Sequence, residues 1–387
     1  MSLNKTSVIV GVAELAPKRT TAGVTTLEMI ARVSKLAVED AGLTPGDIDG
    51  LIVGPQVGET PQHVPATVAE YLGLQPRFAD IVDLGGATGA GMLWRAAAAI
   101  NAGMCETVLC VLGNTRDPAR TPRSPNRNPI REFDVPYGAS GANQAYAMIA
   151  QQHMATYNTR PEQLAQVPVK QRENAILNPD AVFHGKPITV ADVVASPVVM
   201  SPLHLLEVVM PCGGGAAFIV TSTARAAALN QPPVYLLGAG EKVTHRALSQ
   251  APQLTTSPLA PAIADAYRMA GVRASNIDFL SIYDCYSIVV AITIEDAGFC
   301  ARGEGGPWLE SQDISIAGAL PVNPHGGQLA SGQADLAGGM GHIVEAVRQL
   351  RGEAGARQIE RPNLALVTGN GATMSEEVAL VLGGSES

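Results

Sequence analysis

The stretch "TTLEMIARVSKLAVEDAGL" places apolar residues at helical intervals, sets Thr25 and Glu28 at capping-box spacing and ends on Gly42. It predicts a helix. "GDIDGLIVG", which follows, is a short apolar run closing on glycine, and it predicts a buried strand that leads into a turn. "VDLGGATGAGMLWRAAAAINAG", residues 82 to 103, has the shape of a strand, a glycine turn and a helix start, and "TVLCVLGN" has that of another buried strand. Apolar strands flanked by helical stretches fit an α/β fold whose sheets are covered on both faces.

The pattern then repeats. "AVEDAGLTPGDIDGLIVG" at 37 to 54 matches "AYRMAGVRASNIDFLSIY" at 266 to 283 without a gap. Ala37, Ala41, Gly42, Ile48, Asp49 and Leu51 recur as Ala266, Ala270, Gly271, Ile277, Asp278 and Leu280, an offset of 229. Downstream, "GATGAGMLWRAAAAI" followed by "VLCVLGN" is echoed by "DLAGGMGHIVEAVRQL" followed by "LALVTGN". Two echoes in the same order point to internal duplication. The polar, proline-containing "LNQPPV" precedes a fresh strand, "VYLLGAGEKV", and divides the chain into residues 1–230, with an excursion over 114–210, and residues 231–387.

Composition narrows the function classes. The 387 residues carry a formal net charge of -9 at pH 7, so the field that would attract a nucleic-acid backbone is missing. No apolar stretch approaches the roughly 18 to 20 residues of a membrane span, and "MSLNKTSVIVGVAE" has no signal-peptide character. A soluble, cytoplasmic protein is expected. The five cysteines lack CxxC or Cys/His metal spacing, which predicts free thiols and no metal. "NTRDPARTPRSPNRNPIREFDVPYG", 114 to 138, carries five arginines and reads as a long loop over a phosphate-bearing ligand, against a second subunit, or simply in solvent.

Three further segments carry a likeness: "VNPHGGQLASGQADLAGGMGHIVEAVRQLRG" at 322 to 352, "YDCYSIVVAITIEDAGFCARGEGG" at 283 to 306, and "NPDAVFHGKPITVADVVASPVVMSPLHLLEVVMPCGGGAAFIV" ahead of the boundary. With the duplicated glycine turns, they resemble the thiolase superfamily, in its sterol-carrier or lipid-transfer branch, over nearly the whole chain. The resemblance implies a thiolase fold: two duplicated βα halves forming a layered α-β-α-β-α core. It also implies a CoA thioester as substrate with no covalently bound cofactor, a homodimer paired through the N-terminal halves, and a small partner with an OB-fold and zinc ribbon.

The departures from that family bear on mechanism. Thiolases carry a nucleophilic cysteine in a Cys-Ala-Ser-Gly turn; the matching turn here is Gly86-Ala87-Thr88-Gly89. The family's Gly-His-Pro histidine falls on Gln333, its His-Asp-Cys-Phe histidine on Tyr283, and its second cysteine on Gly369. Gly86 cannot form a covalent intermediate, so Claisen chemistry by the usual route is disfavoured. A cradle for acyl-CoA remains, with helix-start amides expected to receive a thioester oxygen or enolate. Thiolase-like aldolases, which split β-hydroxyacyl-CoA compounds and keep tyrosines where thiolases have histidines, resemble this arrangement at Tyr283.

In a retro-aldol step a base takes the β-hydroxyl proton while donors hold the charge developing on the thioester oxygen. Tyr283 is the first candidate for base or proton relay and His325 the second, while Gln333 and Asn323 are candidate polar holders. Asp284 is expected to orient its loop, because adjacent strand residues face opposite ways. Gly86, Thr88, Gly326, Gly327 and Gly369 are the expected contacts to substrate. His342 reads as a helix residue without chemistry. Three functions follow in order: non-covalent retro-aldol cleavage, an inactive acyl-CoA or lipid-binding subunit, and an acyltransferase using a displaced thiol such as Cys285.

Overall fold

The computed structural model describes residues 5–55, 63–117, 134–139, 141–385 and 387. The strands are β1 Ser7–Lys18, β2 Gly50–Val53, β3 Phe78–Ile81, β4 Thr107–Asn114, β5 Val198–Met200, β6 Leu203–His204, β7 Gly213–Ser222, β8 Val234–Val243, β9 Phe279–Ser281, β10 Leu364–Gly371 and β11 Glu376–Gly383. The helices are α1 Thr26–Asp40, α2 Val64–Leu72, α3 Thr88–Asn101, α4 Ala142–Tyr157, α5 Pro161–Ala175, α6 Val190–Ala195, α7 Thr223–Ala226, α8 Leu259–Ala270, α9 Ser287–Asp296, α10 Gly305–Ser311, α11 Gly327–Ser331 and α12 Leu336–Arg351. Among the described residues no helix is long and apolar enough to cross a membrane.

Local chemistry explains the predicted helix α1. The Thr25 hydroxyl accepts from the Glu28 amide at 3.1 Å, and Gly42 leaves the helix at φ +66°. The segment at 82 to 103 differs from expectation. Its strand, β3, ends at Ile81, and "VDL" serves instead to bring the chain to the glycine turn, with the Val82 amide on the Val53 carbonyl.

Nine strands hydrogen-bond in the order β3-β2-β4-β7-β1-β8-β11-β10-β9, joined in the middle by the short antiparallel β1–β8 pairing. The first five run third, second, fourth, fifth, first in chain order. The last four run first, fourth, third, second in chain order when read from β8 outward, and an isolated parallel bridge from Leu280 to Val322 lies on the far side of β9.

Strand alternation separates the core into layers. Along β4, Val108, Cys110 and Leu112 face α3 and α12, whereas Leu109 and Val111 face α1. Along β11, Val378, Leu380 and Leu382 face α3 and α12, whereas Ala379 and Val381 face α8 and α9. Helices α3 and α12 thus form a buried middle layer between two sheet surfaces, with α1 and α2 outside one and α8 and α9 outside the other. This is the α-β-α-β-α arrangement. Of the arginine-rich stretch, residues 118–133 lie outside the described residues. Beyond it, α4 and α5 pack their apolar faces onto α9, in the outer layer that covers the second group of strands.

One polar residue explains part of the repeat. Asp49 accepts the amides of Glu106 and Thr107 at 2.9 and 2.8 Å, fixing the start of β4. Asp278 accepts those of Asn363 and Leu364, both at 2.8 Å, at the start of β10.

Candidate active site

The turn ahead of α3 is built from its own polar groups. Thr88 donates its hydroxyl to the Gly85 carbonyl at 2.6 Å and accepts the Leu84 amide at 3.0 Å, and it is fully buried. The Ala87 amide closes on the Leu84 carbonyl at 2.9 Å, and the Thr88 amide closes on that of Gly85. Thr88 was expected to contact substrate, and these amides to receive a thioester oxygen. In the structure they hold the turn together, because a tight turn followed at once by a helix must satisfy its own groups.

Gly86 is where the site departs from a covalent design. A Cβ built on it would lie 2.3 Å from both Cζ and Oη of Tyr283 and 2.5 Å from the Asn370 carbonyl oxygen. Real Cβ atoms do not approach that closely. The Tyr283 phenol therefore occupies the space a side chain at position 86 would need, and only a glycine there admits the tyrosine in this position.

Tyr283 follows β9 by two residues, with its amide on Thr368 Oγ1 at 3.2 Å. Its hydroxyl accepts Gln333 Nε2 at 2.7 Å. Gln333 is held in turn by the end of the excursion: its amide donates to the Met210 carbonyl at 2.9 Å and its carbonyl accepts the Cys212 amide at 2.7 Å. Burial pushes the Tyr283 pKa well above the ordinary phenol value, with Cys285 adding to the rise and the Gln333 hydrogen bond opposing it. Tyr283 is held as a neutral phenol.

Beside Tyr283 lies a group that sequence reasoning did not single out. Asn370 donates Nδ2 to Tyr146 Oη at 3.2 Å and reaches Cys285 Sγ at 3.9 Å, while its carbonyl faces Gly86. Tyr146, from α4, stacks on Tyr286 at 4.2 Å between centroids, and Tyr286 donates to Asn143 Oδ1 at 2.6 Å. Glu377, opposite Asn370 on β11, is 1% exposed and both its carboxyl oxygens lack a partner. The available signals were weak: Asn370 stands next to Gly369 in "TGNGAT", and Glu377 is a lone acid in the buried phase of an apolar strand. Tyr146 sits in the excursion, where no repeat points to it.

The remaining candidates lie deeper or elsewhere. Asp284 is fully buried and accepts the Gln328 and Leu329 amides of α11 at 2.7 and 3.1 Å, with His342 Nε2 at 3.3 Å. Asn323, at φ +52°, accepts the Ile282 amide at 2.7 Å and donates to the Ile282 carbonyl at 3.0 Å. Both brace the Tyr283 loop from behind. A Cβ on Gly327 would fall 2.3 Å from Asp284 Oδ2, one on Gly326 2.8 Å from Ala175 Cβ, and one on Gly369 2.7 Å from Ala87 Cα. Those glycines allow close packing of protein on protein.

His325 faces away from Tyr283, into a cleft lined by Glu14, Asp180, Glu345, Arg348 and Arg357. Burial pushes its pKa well below the usual imidazole value, and its Nδ1 has no partner. It approaches the Tyr283 loop through His342, whose ring lies 5.2 Å from its own and 6.1 Å from that of Tyr283. His342 is thus more than a helix residue: it bonds Ser281 Oγ at 3.2 Å and ties α12 to the loop.

No cysteine among those with a shifted pKa is activated as a thiolate. Burial raises Cys285, Cys110 and Cys212, and pushes Cys105 up to about 11 and Cys300 up to about 12.

Two βα groups sharing a middle helical layer, with a glycine turn at the head of α3, define a thiolase-type fold with no attacking sulfur in that turn. Residues 240–384 match the Thiolase C-terminal domain-like family. The chain is 33% identical over 354 residues to an acetyl-CoA acetyltransferase of Methanothermobacter thermautotrophicus, covering 89% of this chain and 91% of that one. It is 32% identical over 375 residues to the steroid side-chain-cleaving aldolase of Thermomonospora curvata, covering 92% and 93%. The solved Ltp2-ChsH2(DUF35) aldolase superposes with a TM-score of 0.89 at 30% identity, over 99% of this chain and 98% of that chain. The chain belongs to the thiolase superfamily.

Proposed function

We propose that the protein is an enzyme that cleaves a carbon-carbon bond in a β-hydroxyacyl-CoA by a non-covalent retro-aldol reaction. The observation that carries this reading is the Tyr283 hydroxyl standing in the space of a side chain at position 86, held by Gln333. The two long relatives named as aldolases support it. Because burial keeps Tyr283 protonated, its part is to donate to the thioester oxygen as the enolate forms, with Gln333 fixing its direction. The substrate is a CoA thioester, and no covalent cofactor takes part.

The chain works as a homodimer in the cytoplasm, beside a small OB-fold and zinc-ribbon partner. The solved aldolase whose printed title pairs Ltp2 with ChsH2(DUF35) supports the partner, and the edge strand β3, with Ile81 exposed, supports pairing through the first half. Release of an aldehyde or ketone from a β-hydroxyacyl-CoA, insensitive to thiol alkylation, is the expected result. Tyr283→Phe should lower kcat about 100-fold or more with substrate binding unchanged. Unaltered turnover in that variant would remove the tyrosine from the reaction. The close packing around Gly86 favours a second reading, an acyl-CoA-binding subunit; tight binding without turnover, even with the partner supplied, would establish it.

A further inference from the structure

We propose that His342 is a positioning residue: it holds the residues on both sides of Tyr283 and so sets where the phenol stands over the Gly86 turn. That role rests on the aldol reading for its chemistry. His342 lies on α12, fully buried, and both its ring nitrogens have polar neighbours. Nδ1 meets Ser281 Oγ at 3.2 Å, and the Ser281 hydroxyl donates to the His342 carbonyl at 3.0 Å. Nε2 meets Asp284 Oδ1 at 3.3 Å and Gln328 Nε2 at 3.2 Å, while the Gln328 amide donates to the same Asp284 oxygen at 2.7 Å. Ser281 stands two residues before Tyr283, and Asp284 one after it.

The same helix reaches the rest of the site. Gly339, three residues before His342 and so on the same helix face, packs on the turn: a Cβ there would lie 2.1 Å from the Gly86 carbonyl oxygen and 3.4 Å from Tyr283 Cε2. Gln333, just ahead of α12, holds the phenol hydroxyl at 2.7 Å. Turn, hydroxyl and loop are thus all referred to one helix, and His342 is its hold on the loop.

The two rings lie 6.1 Å apart between centroids, tilted by 44°, and the Tyr283 hydroxyl bonds to Gln333 instead, so His342 acts through Ser281 and Asp284. Asn323 holds Ile282 by both amide and carbonyl, and Thr368 Oγ1 accepts the Tyr283 amide at 3.2 Å. Removing the imidazole therefore moves the phenol without releasing the loop. A space-filling role leaves the two nitrogens unexplained, because a buried polar ring costs more than an apolar group of its size unless its bonds are used.

The test begins without substrate. Protein grown with fluorotyrosine carries a fluorine on each of its eight tyrosines, and the resonance missing from Tyr283→Phe belongs to that ring. His342→Leu, similar in size but without nitrogens, should shift that resonance while those of the exposed Tyr71 and Tyr137 stay in place. Ser281→Ala cuts the Nδ1 side alone and should shift it less, which keeps the test open where His342→Leu does not fold. With turnover as the readout, His342→Leu should lower kcat about 10-fold with KM held within about twofold, and His342→Gln should regain part of the loss. In a Tyr283→Phe background His342→Leu should lower kcat no further, because its effect passes through the phenol. An unmoved Tyr283 resonance in both variants, or an equal loss of kcat in the Tyr283→Phe background, would overturn the inference and leave the aldol reading intact. A shifted resonance in a protein that cleaves no β-hydroxyacyl-CoA would leave the positioning of the ring standing and sink the aldol reading.

Discussion

The two helices of the middle layer start in different ways. Helix α3 starts from Gly85, Gly86, Ala87 and Thr88, with no reactive side chain on offer. Helix α12 starts from Gln333, Ala334 and Asp335, the last at φ +48°, and brings a donor to Tyr283. The region before residue 231 contributes empty space and a rigid turn, together with Tyr146 from the excursion, whereas the region after it contributes Tyr283, Gln333, Asn370 and Glu377. We read residues 1–230 and 231–387 as copies in which scaffold positions such as Asp49 and Asp278 stayed alike while the two helix starts diverged. A side chain at position 86 and the Tyr283 phenol then exclude one another, because the two groups compete for the same volume.

The strongest way to break this comparison is to refill the space. Gly86→Ala places a methyl against Tyr283 and the Asn370 carbonyl, and Gly339→Ala, in α12, places one 2.1 Å from the Gly86 carbonyl oxygen. Backbone on both sides leaves little room to yield, so each should cost about 3 kcal/mol, the upper end of overpacking penalties. Urea unfolding measures it. Adding Tyr283→Ala to Gly86→Ala should recover part of the loss, since the Asn370 carbonyl remains; no recovery would mean that the ring and position 86 do not compete.

A second prediction separates turn from chemistry. Thr88→Val keeps the shape and removes a hydroxyl that both donates and accepts inside the turn. Thermal unfolding should report a loss of about 2 kcal/mol from the buried groups left unpaired. In a Tyr283→Phe background the same loss is expected, because the Thr88 bonds stay within the turn. A loss that depended on Tyr283 would place Thr88 in the reacting cluster.

Much of this fold was legible because the signals were local or repeated. The Thr25 cap and the Gly42 stop rest on residues close in sequence, and the offset of 229 on a repeat. In the site, Tyr283, Gln333 and Gly86 were legible from their departures from the family motif. Their meeting was not, because the contact between position 86 and Tyr283 depends on how two helix starts lean together. Asp284, Asn323 and Gly327 stand beside chemistry in the sequence yet point into the scaffold. Their backbone partners set that direction, and no side-chain pattern reveals it. His325 faces a separate cleft for the same reason, since the "NPHGG" turn reverses between Asn323 and Gly327.

The smallest expected effect tests the likeness of the halves most directly. Asp49 and Asp278 each accept two successive amides at the entry to a strand, at distances that agree within 0.1 Å between the closest contacts of each pair. Asp49→Ala and Asp278→Ala should therefore each cost about 1 kcal/mol, since these groups are partly exposed and water replaces some of what is lost. The two costs should agree within about 0.5 kcal/mol, and they should add in the double variant because β4 and β10 lie in different parts of the sheet. A marked inequality would have a specific source to check: Arg77 lies 3.8 Å from Asp49. If Arg77→Ala brings the two costs together, the equivalence of the scaffold stands. If it does not, the repeated aspartate marks a similar sequence put to unequal use, and the argument from shared scaffold to divergent helix starts loses its reference point.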